Sequence, residues 1–210
     1  MARIPSNNLF GSASGRIGNL VFYTSNGIQI VRALPKPREK AKLSALQKLH
    51  INSFKAQYAF ARSIKQNIID RIWGQVTMPA GLNPYNYFIK FNKEAFGKFD
   101  HIEFPQLMTL STGKLLPVEN LKVGFANNKL SLNWICKENY VYASYQDRLI
   151  IAILTDKRNI QIFENGFIRS DEKAELELNE LNTDMVEGFI FWVSPNNNFF
   201  SRSDYWRCIN

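Results

Sequence analysis

The sequence predicts a mixed α+β protein: an N-terminal β-hairpin, a long basic helix and a shorter helix, followed by an antiparallel immunoglobulin-like β-sandwich. Three observations carry this expectation. An Asn-Gly pair separates two short β-rich runs before residue 35, an apolar period of helical spacing runs from residue 44 to about residue 73, and short strand-like runs broken by turn signals fill the chain beyond residue 104. With 210 residues, 45% of them hydrophobic and 13% aromatic, the chain has enough apolar surface for sizeable cores.

Each element has its own signature. The runs "IGNLVFY" and "IQIVRAL" flank "TSNG", and Asn26-Gly27 suits a two-residue type I′ turn because both central positions need positive φ. A lone hairpin is marginal in water, so this one must lie against other structure or add strands to a partner. The segment "PKPREKAK" at 35–42 is too rich in proline and charge for a helix interior and reads as a basic linker. Ser44 and Gln47 fit a capping box that opens a helix ending near Trp73, with Gly74 as the left-handed residue beyond it.

On that helix Ile51, Phe54, Tyr58, Ala61, Ile64, Ile68 and Ile72 share an apolar sector. Lys48, Lys55 and Arg62, spaced by sevens, make a basic stripe beside it. Asn52, Ala56, Ala59 and Ser63 form a smooth side on which another backbone could come close. Residues 83–96 read as a second helix, with Asn83 as N-cap and Pro84 in the first turn. Its aromatic face is expected to place Phe88, Phe91, Ala95 and Phe99 in the core. Seven or eight strands then follow between 107 and 207, separated by signals such as "ANNK", "ENG" and "SPNNN", a spacing that suits a sandwich.

The charge is unevenly spread. The net charge is +8, but residues 1–100 hold 15 Lys/Arg against 4 Asp/Glu, whereas residues 101–210 hold 11 against 14. This split predicts two structural units, a basic region at 1–103 and a sandwich at 104–210. The opening "MARIPSNNLF" lacks the apolar core of an export signal, and "LIIAIL" at 149–154 is far too short for a bilayer span. The expected location is the cytoplasm, or a virion if the protein derives from a phage, with no membrane partner. Cys136 and Cys208 form no C-x-x-C pair and are expected to stay reduced.

Candidate chemistry is sparse. Gly11, Gly15 and Gly18 follow G-x-x-x-G-x-x-G, which matches no phosphate-binding loop, and no strand feeds them into a helix that could offer aligned amides. His50 is expected to sit half-buried beside the apolar sector of the first helix. His101 lies between Asp100 and Glu103 in a solvated linker, without the spacing of a metal site. No serine lies in G-x-S-x-G, and the run at 170–180 alternates Ala174, Leu176 and Leu178 with Glu175 and Glu177 as an amphipathic strand would. No catalytic, cofactor or metal-binding residue is predicted.

The basic tract is the strongest unusual feature, with ten Lys/Arg and two acids between Arg32 and Arg71. Such a surface attracts phosphates without reading sequence. The residues that would do so are Arg32, Lys36, Arg38, Lys40, Lys42, Lys48, Lys55 and Arg62. The same basic helix would equally suit an acidic protein surface, and no nucleic-acid-binding motif accompanies the charge.

The order of these pieces resembles a family of uncharacterised bacterial proteins classed as a domain of unknown function. "GSASGRIGN" at 11–19 corresponds to its G-x-x-S-G-[KR]-[IV]-G-N opening, and "GIQIVRALP" at 27–35 to its G-x-x-[IV]-[IV]-R-x-x-P stretch. "SALQ" at 44–47 stands where the family has T-P-x-Q, without the threonine and proline, and "SRSDY" at 201–205 near its closing S-x-S-x-Y. The resemblance implies a shared architecture in which the glycine-rich hairpin is the defining element. It supplies no activity or ligand.

The expected function is therefore a non-enzymatic structural or interaction module. It would assemble with copies of itself or dock into a larger assembly, such as a phage-derived virion component, through Gly15, Gly18, Asn26, Gly27 and Arg32 in the hairpin region. The alternative is a sequence-independent nucleic-acid-binding protein using the tract 32–71.

Overall fold

The computed structural model describes residues 2–4, 14–25, 27–36, 43–136, 142–178 and 185–209, with the backbone alone for 2–4. The predicted residues Asn26, Arg38, Lys40 and Lys42 lie outside the described residues. The chain divides into two compact units, 1–44 and 45–210. The charge split predicts a boundary at 103/104 instead. The difference has a packing cause: the helices that precede residue 104 share a core with the β-strands that follow it.

The first unit is an antiparallel four-stranded sheet made of β1 (Ala2–Ile4), β2 (Gly15–Ile17), β3 (Leu20–Ser25) and β4 (Ile28–Ala33), ordered β1-β4-β3-β2. Ser25 pairs with Ile28, and Gly27 takes a φ of +75°, as the second central position of the expected turn requires. The run "IGNLVFY" is not one strand. Ile17 pairs with Leu20 across Gly18-Asn19, a second two-residue turn in which Gly18 has a φ of +57°.

The second unit is α+β. Helix α1 (Ala45–Ser63) is 19 residues long, shorter than the sequence predicts. It gives way to a π-helical turn at Lys65–Asp70 and a 3₁₀ turn at Trp73–Gln75, so Gly74 is not a left-handed cap. The wider turn changes the phase of the apolar face, and the adjacent Ile68 and Ile69 are both fully buried. Helix α2 (Pro84–Phe96) starts as predicted, with the Asn83 side chain accepting from the Asn86 amide at 2.8 Å.

Seven strands follow among the described residues: β5 (Lys122–Ala126), β6 (Lys129–Asn133), β7 (Arg148–Leu154), β8 (Ile160–Phe163), β9 (Lys173–Glu177), β10 (Met185–Val193) and β11 (Asp204–Ile209). They form two antiparallel sheets, ordered β11-β10-β7-β8 and β5-β6-β9. The four-stranded sheet is buried on both faces. Ile150, Ala152, Phe189 and Phe191 join the helices in one core, with Trp73 and Phe88 at its centre. Leu149, Ile151, Ile190 and Trp192 face the three-stranded sheet in the other. Strands covered on both sides need apolar side chains at successive positions, which accounts for "LIIAIL" and "FIFWV". In β9, as predicted, Ala174 and Leu176 point inward and the intervening glutamates face solvent.

Candidate interaction surface

Side chains alternate across a strand, so the register assigns each residue of the N-terminal sheet to a face. Ile17, Leu20, Phe22, Val31 and Ala33 share one face, together with Thr24 and Gln29. Every described side chain on this face is uncharged. Arg16, Val21, Tyr23, Ile28, Ile30 and Arg32 share the other, where the Arg32 guanidinium lies 5.5 Å from the Tyr23 ring centroid. Among the described residues of this unit only Phe22 is buried, while Ile17 is 66% and Leu20 44% exposed.

The glycines make this sheet narrow and tightly turned. Gly15 in β2 has a φ of +122° and Gly18 one of +57°, conformations that side chains with a Cβ rarely adopt. β2 pairs with Leu20–Phe22 and β1 with Gln29–Val31, so half of each outer edge of the β3–β4 hairpin is taken up within the sheet.

The predicted basic residues are distributed over both units. Arg32 and Lys36 are exposed in the first; Lys48, Lys55 and Arg62 are exposed along one side of α1 in the second. Helix α1 contains no acidic residue, and the structure records no ion pair for these three among the described residues. The upper part of the predicted apolar sector is also on the surface, with Ile51 39%, Phe54 54% and Tyr58 40% exposed. Only Ala61, Ile64, Ile68 and Ile72 of that sector are buried. His50 is exposed rather than half-buried, because the first turns of α1 stand clear of the core. Phe91 and Phe99, expected in the core, are 52% and 46% exposed, whereas Phe88 and Ala95 are buried as predicted.

His101 and its sequence neighbours Asp100 and Glu103 belong to a surface network that also takes in Lys157 and Arg158, which are distant along the chain. The His101 ring nitrogens lie 3.2 Å from Asp100 and 2.8 Å from Glu103. Arg158 donates to Asp100 and Lys157 to Glu103, which ties the segment after α2 to the turn between β7 and β8. The Asp100 carboxyl is held below its ordinary value, chiefly by the bond to His101, and that of Glu103 chiefly by the bond to Lys157. Asp100 and Arg158 also wall an open groove of about 420 Å³ whose floor is Asn52, Ala56 and Ala59, so the smooth side of α1 has a charged rim. Among the described residues no three of His, Cys, Asp and Glu gather as metal ligands, and no helix is long and apolar enough to cross a membrane.

No family model matches the chain, and no curated protein matches it. Among solved structures it is similar to the spore cortex lytic enzyme SleM of Clostridium perfringens, at 14% identity and a TM-score of 0.33. That likeness covers 46% of this chain and 29% of the enzyme's, and is too slight to carry either fold or activity across.

Proposed function

We propose that the protein is a non-enzymatic assembly module whose N-terminal sheet is covered by the same sheet of a second copy. The observation that carries this reading is the uncharged apolar face of Ile17, Leu20, Phe22, Val31 and Ala33, which holds residues as exposed as Ile17 and Leu20. A small sheet needs a covered face to be stable. Face-to-face packing of two such sheets would bury these side chains and leave Arg16 and Arg32 on the outer faces, without bringing like charges together. Gly15, Gly18 and Gly27 would serve by fixing the turns rather than by touching the partner. We further infer that the second unit is an immunoglobulin-like sandwich carrying a helical layer. Its first, second and fifth strands form one sheet and its remaining four the other, a partition close to that fold's.

A second reading has one observation in its favour: Lys48, Lys55 and Arg62 stand exposed on a helix with no acidic residue. The two readings separate on one experiment, light scattering during size-exclusion chromatography of the full chain at low and at high salt, before and after nuclease treatment. Face packing predicts a stable multiple of the monomer mass in all conditions and a monomer when Ile17 and Leu20 are both changed to lysine. A wild-type monomer that releases nucleic acid as salt rises, and that loses it when the three basic residues are reversed in charge, would replace the first reading with the second.

A further inference from the structure

We infer that Asn165-Gly166 is a self-modifying site, at which the protein's own backbone converts the asparagine to isoaspartate and so alters the joint that ties the segment after α1 to β7.

The dipeptide lies in the irregular stretch 164–167 that follows β8, and both residues are exposed. Gly166 has a φ of +80°, and a Cβ placed on it would meet nothing within 4 Å. Among the described residues its amide donates to no backbone carbonyl, and the Asn165 side chain makes no hydrogen bond. An asparagine in a folded protein is protected by a bulky residue after it, by a bonded amide on that residue, or by bonds to its own side chain. Asn165 has none of these protections. Asn83, Asn92, Asn159, Asn196 and Asn197 make the contrast: each has a bonded side chain and is followed by a residue with a Cβ.

The reaction needs no partner but water. The Gly166 nitrogen attacks the side-chain carbonyl carbon of Asn165 and forms a C–N bond. The bond from that carbon to the side-chain nitrogen breaks, and ammonia leaves with the proton that the Gly166 amide gives up. Water then opens the five-membered imide. Opening at the backbone carbonyl leaves isoaspartate, whose chain runs on through the side-chain carbon and is longer by one methylene. Opening at the side-chain carbonyl leaves aspartate. Either product adds a negative charge.

The surroundings favour that charge. Arg71 donates to Glu164 at 2.8 and 3.0 Å, Arg148 reaches the same carboxylate at 3.1 Å, and both donate to Asn197 Oδ1 at 2.6 Å. Two guanidinium groups thus meet one carboxylate, one residue away from the reacting centre. Excess positive charge stabilises the anion that develops at the attacked carbon.

The same contacts give the added methylene its effect. Glu164 is gripped by the two arginines, and the Phe167 carbonyl accepts from the Leu149 amide at 2.8 Å, so the chain is anchored on both sides of the dipeptide. A backbone lengthened between two anchors has to bulge or to draw Glu164 away from its arginines.

The test incubates the full chain at mildly alkaline pH and samples it over days by peptide mapping with mass spectrometry, beside a synthetic peptide of residues 161–170. The proposal expects Asn165 to convert at least about tenfold faster than the five asparagines named above, no slower than in the free peptide, and with isoaspartate among the products. Asn165→Gln should show no conversion over the same period. The isoaspartyl form, separated by ion exchange, should melt below the native protein, whereas Asn165→Asp, which adds the charge without the methylene, should not. An Asn165 that stays intact in the folded chain, or reacts about tenfold slower there than in the peptide, would overturn the site. Equal melting temperatures of the isoaspartyl and native forms would overturn its effect on the joint.

Discussion

Gly188 lies in the middle of β10, opposite Ile153 on one side and Trp206 on the other. A methyl group there would collide with the Ala152 carbonyl oxygen and come within 3.0 Å of the Trp206 ring. The missing side chain is what lets Trp206 fold over the sheet and fill the core. Gly188→Ala should therefore destabilise the protein by about 1–3 kcal/mol, an overpacking cost, and lower its melting temperature by several degrees. Calorimetry on the purified variant checks this, and an unchanged melting temperature would show that the sheet yields at no cost. The role of Gly188 is illegible in the sequence, because it depends on two strands distant along the chain. Gly27 is the opposite case: its turn is local, and the Asn-Gly pair announced it. Gly18-Asn19 is as local as Asn26-Gly27, and its turn chemistry was there to be seen. The apolar residues on both sides made it look like the interior of one strand.

Between elements, the informative feature is the joint where the π-helical turn after α1, β7 and the 194–199 loop meet. The Arg71 guanidinium forks onto Glu164 at 2.8 and 3.0 Å, and Arg148 reaches the same carboxylate at 3.1 Å. The bond from Arg71 is the main reason that the Glu164 carboxyl sits below its ordinary value, with burial opposing it. A depressed folded-state pKa gives stability that is complete above the unfolded-state value and is lost as pH falls through the folded-state one. Glu164→Gln should accordingly be less stable than the native protein at neutral pH, and the gap should narrow as pH drops below the ordinary carboxylate range. Melting curves of both proteins across that range test it; a gap independent of pH would mean that the clamp acts by shape rather than charge. None of this joint could be read from the sequence, since Glu164 and Arg71 are 93 residues apart. What was legible at this scale was periodicity: the α2 cap, the alternation of β9 and the number of strands to within one. The length of α1 was overread because Ile64, Ile68 and Ile72 keep α-helical spacing through a stretch whose backbone is π-helical.

For the whole molecule, the charge distribution was a poor guide to its division. Charge reports what a surface faces, and α1 is basic outside while Phe60, Ala61 and Ile64 beneath it belong to the same core as Phe189 and Phe191. Burial decides which segments fold together, and it places the boundary at 44/45. The hairpin residues expected to serve in assembly all fall in the first unit, whereas the basic residues of the alternative nucleic-acid reading fall on both sides of the boundary. The two units also differ in what holds them together. The second has two apolar cores with a sheet covered on both faces, whereas the first is a sheet with one buried side chain among its described residues. Residues 45–210 alone should therefore unfold cooperatively, at a melting temperature within a few degrees of that of the full chain. Residues 1–44 alone should show no sheet signal by circular dichroism when dilute, because ordering each residue costs about 1–2 kcal/mol and little apolar burial offsets it. If the sheet is completed by a second copy, that signal should return as concentration rises, and it should not return when Ile17 and Leu20 are both lysine. A dilute N-terminal segment that keeps its sheet would show that the unit is stable without a partner, and would remove the physical reason for expecting one.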